Sequence, residues 1–194
     1  LEIHEIETRI FDYGLIKNDF DELKNKELEI YFESKLKWLD EKVDQEEKEG
    51  THYGFKDVKS NLLYTLGLIN EAKNDFKTAI SYFSHMMEVL PKTDIFIPDL
   101  YFNLATLHAK LNLFKKSLHY CSKIKKESAS PKLYCNKLHL EAQSHYYSLV
   151  TRGPPNITIP FNNDFILNAM TSIKSNIDEL KHFKNEGICD LGSD

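Results

Sequence analysis

The chain has 194 residues, 41% of them apolar and 28% charged, with a formal net charge of −5. That length and apolar content supply a continuous core, and seven glycines with six prolines are too few for a loop-rich β protein. The acidic balance excludes a chain that is itself a nucleic-acid binder, and no apolar run is long enough for a membrane span.

In chain order, the first predicted element is a helix over Glu2 to Lys17 with Ile3, Ile6, Ile10 and Phe11 on its apolar side. The triplet Asn18-Asp19-Phe20 marks a turn. A long helix follows, with Leu28, Phe32, Leu36, Leu39 and Val43 at helical spacing, and the polar run Asp44 to Gly50 is expected to end it. Two clear helix pairs occupy residues 60–93 and 98–130. Ser130-Pro131 is a helix start, a Ser cap followed by Pro at the first helical position. Arg152-Gly153-Pro154-Pro155 breaks that helix, and a last helix over Asp164 to Lys184 carries Phe165, Ile166, Ala169, Met170, Ile173, Ile177 and Leu180. The expectation is an all-α chain of about seven or eight helices with no strand.

The middle of the chain repeats itself with an offset of 38 residues. Asn61-Leu62-Leu63-Tyr64-Thr65-Leu66-Gly67 aligns with Asp99-Leu100-Tyr101-Phe102-Asn103-Leu104-Ala105, and Asn74-Asp75-Phe76-Lys77-Thr78-Ala79 with Asn112-Leu113-Phe114-Lys115-Lys116-Ser117. Leu63, Leu66, Gly67, Ala79, Phe83 and Pro91 follow the order of small, large and helix-ending residues in the repeat of about 34 residues that defines tetratricopeptide (TPR) proteins. Small Gly67 and Ala79 suit a close helix crossing, and Pro91 stops the second helix. Leu133-Tyr134-Cys135-Asn136 echoes Leu100-Tyr101-Phe102-Asn103 and extends the pattern. The chain therefore resembles the TPR family. That resemblance implies a right-handed superhelical stack of antiparallel helix pairs forming one domain over 1–194: a degenerate pair over 1–50, the two clear repeats, and a degenerate repeat over 131–184.

Chemistry-bearing motifs are scarce. Cys121, Cys135 and Cys189 lack metal-ligand spacing and do not suggest a disulfide framework, which predicts reduced core thiols in a cytoplasmic protein. His139 and His145 are spaced off one helical face, so no metal site is expected there. No phosphate loop, nucleophile elbow or placed carboxylate pair supports catalysis, and Gln45 with its neighbouring glutamates has a solvated explanation. The expectation is a non-enzyme with no metal and no cofactor. Residues 1–60 hold 17 acids against 10 bases. Lys115, Lys116, Lys123, Lys125 and Lys126 read as a solvated basic face, and Tyr31, Phe32 and Trp38 leave room on the long helix for a partner or dimer surface.

In the TPR register the first helix of each pair lines a concave groove, with further contacts a turn later. The resemblance places Asn61, Tyr64 and Thr65 there from the first repeat, Phe102, Asn103 and Thr106 from the second, and Asn136 and His139 from the third. Asn amides can grip a peptide main chain, and Tyr64 and Phe102 can wall apolar pockets. The cationic members of a carboxylate clamp are absent from the groove. A neutral groove of this kind is similar to that of the Gram-positive peptide-sensing regulators, the RRNPP family with its Rgg- and PlcR-like members. That likeness implies the ligand-sensing and oligomerisation domain of a cytoplasmic transcription regulator, a homodimer that binds a short signalling peptide. DNA would be contacted only through a helix-turn-helix domain upstream of Leu1, absent from this chain. The alternative is a TPR adaptor that joins proteins without a peptide signal.

Overall fold

The computed structural model describes residues 2–16, 22–150 and 163–187. They form eight helices and, among the described residues, no strand: α1 (Glu2–Ile16), α2 (Glu22–Glu49), α3 (Phe55–Ala72), α4 (Phe76–Val89), α5 (Ile97–Lys110), α6 (Phe114–Cys121), α7 (Pro131–Val150) and α8 (Asn163–Asn185). The chain is all-α. The helices group into two compact units, Leu1–Asp94 and Ile95–Asp194. In each unit helices pack on their chain neighbours, and the first helix of one pair also touches the first of the next, as α1 touches α3 and α5 touches α7. Nearest-neighbour packing of this kind is how helical solenoids bury a core.

The 38-residue repeat survives at the level of single hydrogen bonds. Asn74 and Asn112 both adopt a left-handed backbone, with φ of 61° and 59°. At the first turn Asn74 N–H donates to Glu71 O and Asp75 N–H to Asn70 O; at the second, Asn112 N–H donates to Ala109 O and Leu113 N–H to His108 O. Asn tolerates this conformation better than other residues with a Cβ, so the repeated Asn marks the reversal within each pair. The two turns differ in capping. Asp75 accepts from Thr78 N–H at 3.2 Å and so caps α4, which holds the Asp75 carboxyl below the usual carboxylate range through the Thr78 hydroxyl and N–H. Leu113 at the matching place offers no side-chain cap, and α6 is only 8 residues long.

Unit 1 has its core where α1, α2 and α3 meet: Ile6, Tyr13, Phe32, Leu39, Val58, Leu62, Leu66 and Ile69. The predicted inward positions of α2 hold, but Phe11 of α1 is 66% exposed and Tyr13 takes its place inside. The polar run does not end α2 at Asp44. Glu, Lys and Gln are good helix formers, and the helix continues to Glu49, where Gly50 turns the chain with φ 63°. Glu46, 5% exposed, faces inward from that last stretch. Its carboxylate accepts from the backbone N–H groups of Tyr53 and Gly54. It thereby caps the start of α3, where Gly54 has no side chain for the task. Tyr31, Phe32 and Trp38 are used internally: Trp38 meets Phe55 edge-on at 5.8 Å, Arg9 lies 4.2 Å above Tyr31, and Phe32 is fully buried.

In unit 2, Ser130 Oγ accepts from Leu133 N–H at 3.2 Å, the predicted start of α7. Cys121 is a free, fully buried thiol, pushed by burial up to about 12. Cys135 is disulfide-bonded, which corrects the reduced-thiol expectation at that position. Spacing along a chain does not report which thiols a fold brings together. The Asn18-Asp19-Phe20 turn, the 152–160 breaker and Cys189 lie outside the described residues.

Candidate functional site: a cleft between α5, α6 and α7

A hollow of about 330 Å³, mostly apolar in its lining, opens in unit 2. Thr106, Ala109 and Lys110 enter it from α5, Asn112 from the left-handed turn, and Phe114 from the start of α6; Leu140, Gln143, Ser144 and Tyr147 come from α7. The helical period explains the selection. Thr106, Ala109 and Lys110 share one face of α5, as Leu140, Gln143, Ser144 and Tyr147 share one face of α7.

Phe114 stacks on Tyr147, with ring centroids 5.8 Å apart and planes 18° from parallel, and makes an aromatic wall. Leu140 belongs to a small core with Ala105 and Cys121, against which Phe102 and Ala109 pack. Ser144 reaches Ser117 of α6 through a buried hydroxyl pair at 3.0 Å, which ties α6 to α7. The Gln143 amide nitrogen donates to His139 Nε2 at 2.8 Å. Thr106 Oγ1 is buried and has no hydrogen-bond partner, and the Asn103 amide nitrogen one turn earlier on α5 is in the same position. Orphaned buried polar groups of this kind are costly, so they are candidates for satisfaction by a ligand. Nearby, burial pushes the His108 and His145 imidazoles below their ordinary range, Lys116 adding to the effect at His108 and Glu141 opposing it at His145.

The sequence-predicted residues divide between the units. In unit 1, Asn61 is exposed. Tyr64 is half-buried, its ring 5.7 Å from that of Phe83. Thr65 is 4% exposed and donates to Asn61 O at 2.9 Å, so it lies in the helix packing rather than on an open surface. In unit 2, Thr106 lines the cleft, Phe102 packs beside its floor and His139 holds Gln143; Asn136, one turn before Leu140, is exposed. Lys110 and Gln143 stand four residues after Thr106 and His139, one turn further along the same register, so the period itself could have found them. Leu140, four residues after Asn136, follows from the same step; Tyr147 and the Phe114 wall could not be read from it.

The arrangement can enclose a small apolar group and hydrogen-bond its polar edge. Among the described residues no cluster of three or more His, Cys, Asp or Glu could hold a metal ion. The class that fold and site define is an all-helical protein of consecutively packed helix pairs with a small, mostly apolar cleft. Set against protein-family models, curated proteins and solved structures, the chain finds no match.

Proposed function

We propose that this chain is a helical-repeat binding module that takes a short peptide or protein segment at the α5–α7 cleft, and serves as the ligand-sensing and oligomerisation domain of a transcription regulator. One observation carries the binding part: a hollow lined by the groove-register residue Thr106, whose buried hydroxyl lacks a partner, with the unpartnered Asn103 amide one turn earlier on α5, outside the lining. A pocket of about 300 Å³ or more with few polar groups suits one apolar side chain of an extended peptide. The orphaned Asn103 and Thr106 groups would then meet its main chain. Differential affinity for two arrangements of the helices would supply the signal.

The test is isothermal calorimetry with a randomised pool of short apolar peptides on the native chain and on Asn103→Ala, Thr106→Val and Asn136→Ala. Binding that weakens in the two α5 variants supports the reading; no heat from the pool, or affinity unchanged in all three, removes it. Sedimentation with and without the selected peptide tests the homodimer.

The regulator reading also places the chain in the cytoplasm, and no helix of the described residues is long and apolar enough to cross a membrane. Cytoplasmic thiols are kept reduced and the disulfide at Cys135 speaks against that location, so Cys135 is the deciding residue. Alkylation of Cys135 in acid-quenched, denatured cells supports that location, and protection until a reductant is added rejects it.

A further inference from the structure

Helix α8 packs on α7 through Leu180 and Phe183, which join Cys135 and Leu138 in one buried cluster. Its apolar surface is wider than α7 covers. Ile166, Met170, Ile173 and Ile177 follow one another at steps of four, three and four, which draws a second seam along one flank. Met170 is 59% and Ile177 41% exposed, and Leu167 at the edge is 64% exposed. Single exposed apolar side chains need no explanation, but a contiguous seam does. Outer helix faces in stacked-helix proteins are ordinarily polar.

The border of the seam is mostly basic. Lys174 stands one turn beyond Met170, Lys181 one turn beyond Ile177 and Lys184 two turns beyond it, all exposed. Of the α8 acids, Glu179 is turned away and paired with Lys126 at 3.3 Å. Two acids come near the seam: Asp164, one turn before Leu167, and Asp178, which stands one turn from both Lys174 and Lys181. We propose that this flank of α8 is a docking surface for an amphipathic helix with an acidic border, supplied by a partner protein. The spacing matches the anchors by which one helix seats on another, and the lysine border selects the partner's charge. The surface is separate from the cleft and does not depend on what the cleft binds.

The probe is a fluorescently labelled synthetic helix with a leucine seam flanked by glutamates, and a second with lysines in their place. Anisotropy on the full chain is expected to show binding of the acidic helix that weakens with salt. Met170→Glu with Ile177→Glu should lower its affinity by about tenfold or more. Both residues are exposed, and circular dichroism checks that the helices persist. Lys174→Glu with Lys181→Glu should weaken the acidic helix and strengthen the basic one. Equal affinity for both helices, or no binding of the acidic one, overturns the proposal. So does a seam whose apolar side chains govern adhesion to phosphatidylserine vesicles or self-association of the chain instead.

Discussion

Two glycines in helices show how a single Cβ can act with opposite sign. A Cβ on Gly67 would lie 2.7 Å from Cζ and 2.8 Å from Cδ1 of Phe83, and closer still to Cε1. The Phe83 ring is fully buried and cannot swing aside without disturbing its neighbours. A Cβ on Gly14 would meet nothing within 4 Å. Gly67→Ala should therefore destabilise unit 1 by about 1–3 kcal/mol, less the roughly 1 kcal/mol that alanine gains in a helix. Gly14→Ala should stabilise the chain by roughly 0.5–1 kcal/mol. Urea midpoints of the two variants read the sign directly; a stabilised Gly67→Ala would mean that the ring yields. The need for a small residue at Gly67 was legible in the sequence, because the repeat places it at a helix crossing. Phe11 was misread for a related reason: one more apolar residue beside Ile10 does not say how wide a face the neighbouring helices cover.

At the scale of the elements, α6 and α7 are held by Ser117 and Ser144, both buried and 3.0 Å apart. Ala79 occupies the place of Ser117 in the first repeat, so alanine fits there in volume. The cost of Ser117→Ala is instead the stranding of the Ser144 hydroxyl, about 1–3 kcal/mol; Ser144→Ala should cost less, because Ser117 keeps its hydrogen bond with the Cys121 side chain. Removing both leaves no orphan. The double variant should lie closer to the native protein than Ser117→Ala alone, and a double-mutant cycle by urea unfolding measures the coupling. Strict additivity would show that the pair contributes nothing. The same elements mark the limit of what the sequence tells. The α5–α6 pair is copied from α3–α4 by a fixed offset, so its register follows. The echo of α5 in α7 comes at 33 residues instead. There Lys137 takes the place of Leu104, stays 8% exposed and pairs with Glu141 at 2.7 Å. Asn176 of α8 donates to the same Glu141 at 3.2 Å. Four of the nine lining residues come from this changed helix; Leu140 falls on Leu107 of α5 in that register, but Tyr147 falls past the end of α5 and had no counterpart there to announce it. The extent of α2 was hidden for a different reason: Glu46 reads as one acid in a solvated run until the fold turns it toward the N–H groups that start α3.

For the whole molecule, buried titratable groups set the pH range of stability. His108 is 5% exposed and stacks on Tyr120 at 5.4 Å, and burial lowers it, as it does His145, from an ordinary value of 6.5. Below 6.5 the unfolded chain takes up protons that the folded chain resists. Stability is thus full above that pH and falls as the solution is acidified toward the folded values. Cys121 works in the opposite direction. Its thiol is raised from 9.0 to about 12, so the folded chain keeps a proton that the unfolded chain gives up, and stability is lost as pH rises across that interval. Tyr13 and Tyr82, both raised from 10.0 by burial first and by neighbouring glutamates second, steepen the same alkaline limb. Urea midpoints should form a plateau between about 6.5 and 9 with a fall on either side. His108→Gln, neutral at every pH, should flatten the part of the acid limb that begins just below 6.5 and leave untouched the carboxylate-driven fall nearer 4. Cys121→Ala should likewise delay the alkaline fall. If His108→Gln keeps the native acid slope, the burial of His108 is not coupled to folding, and His145 alone would have to account for that limb.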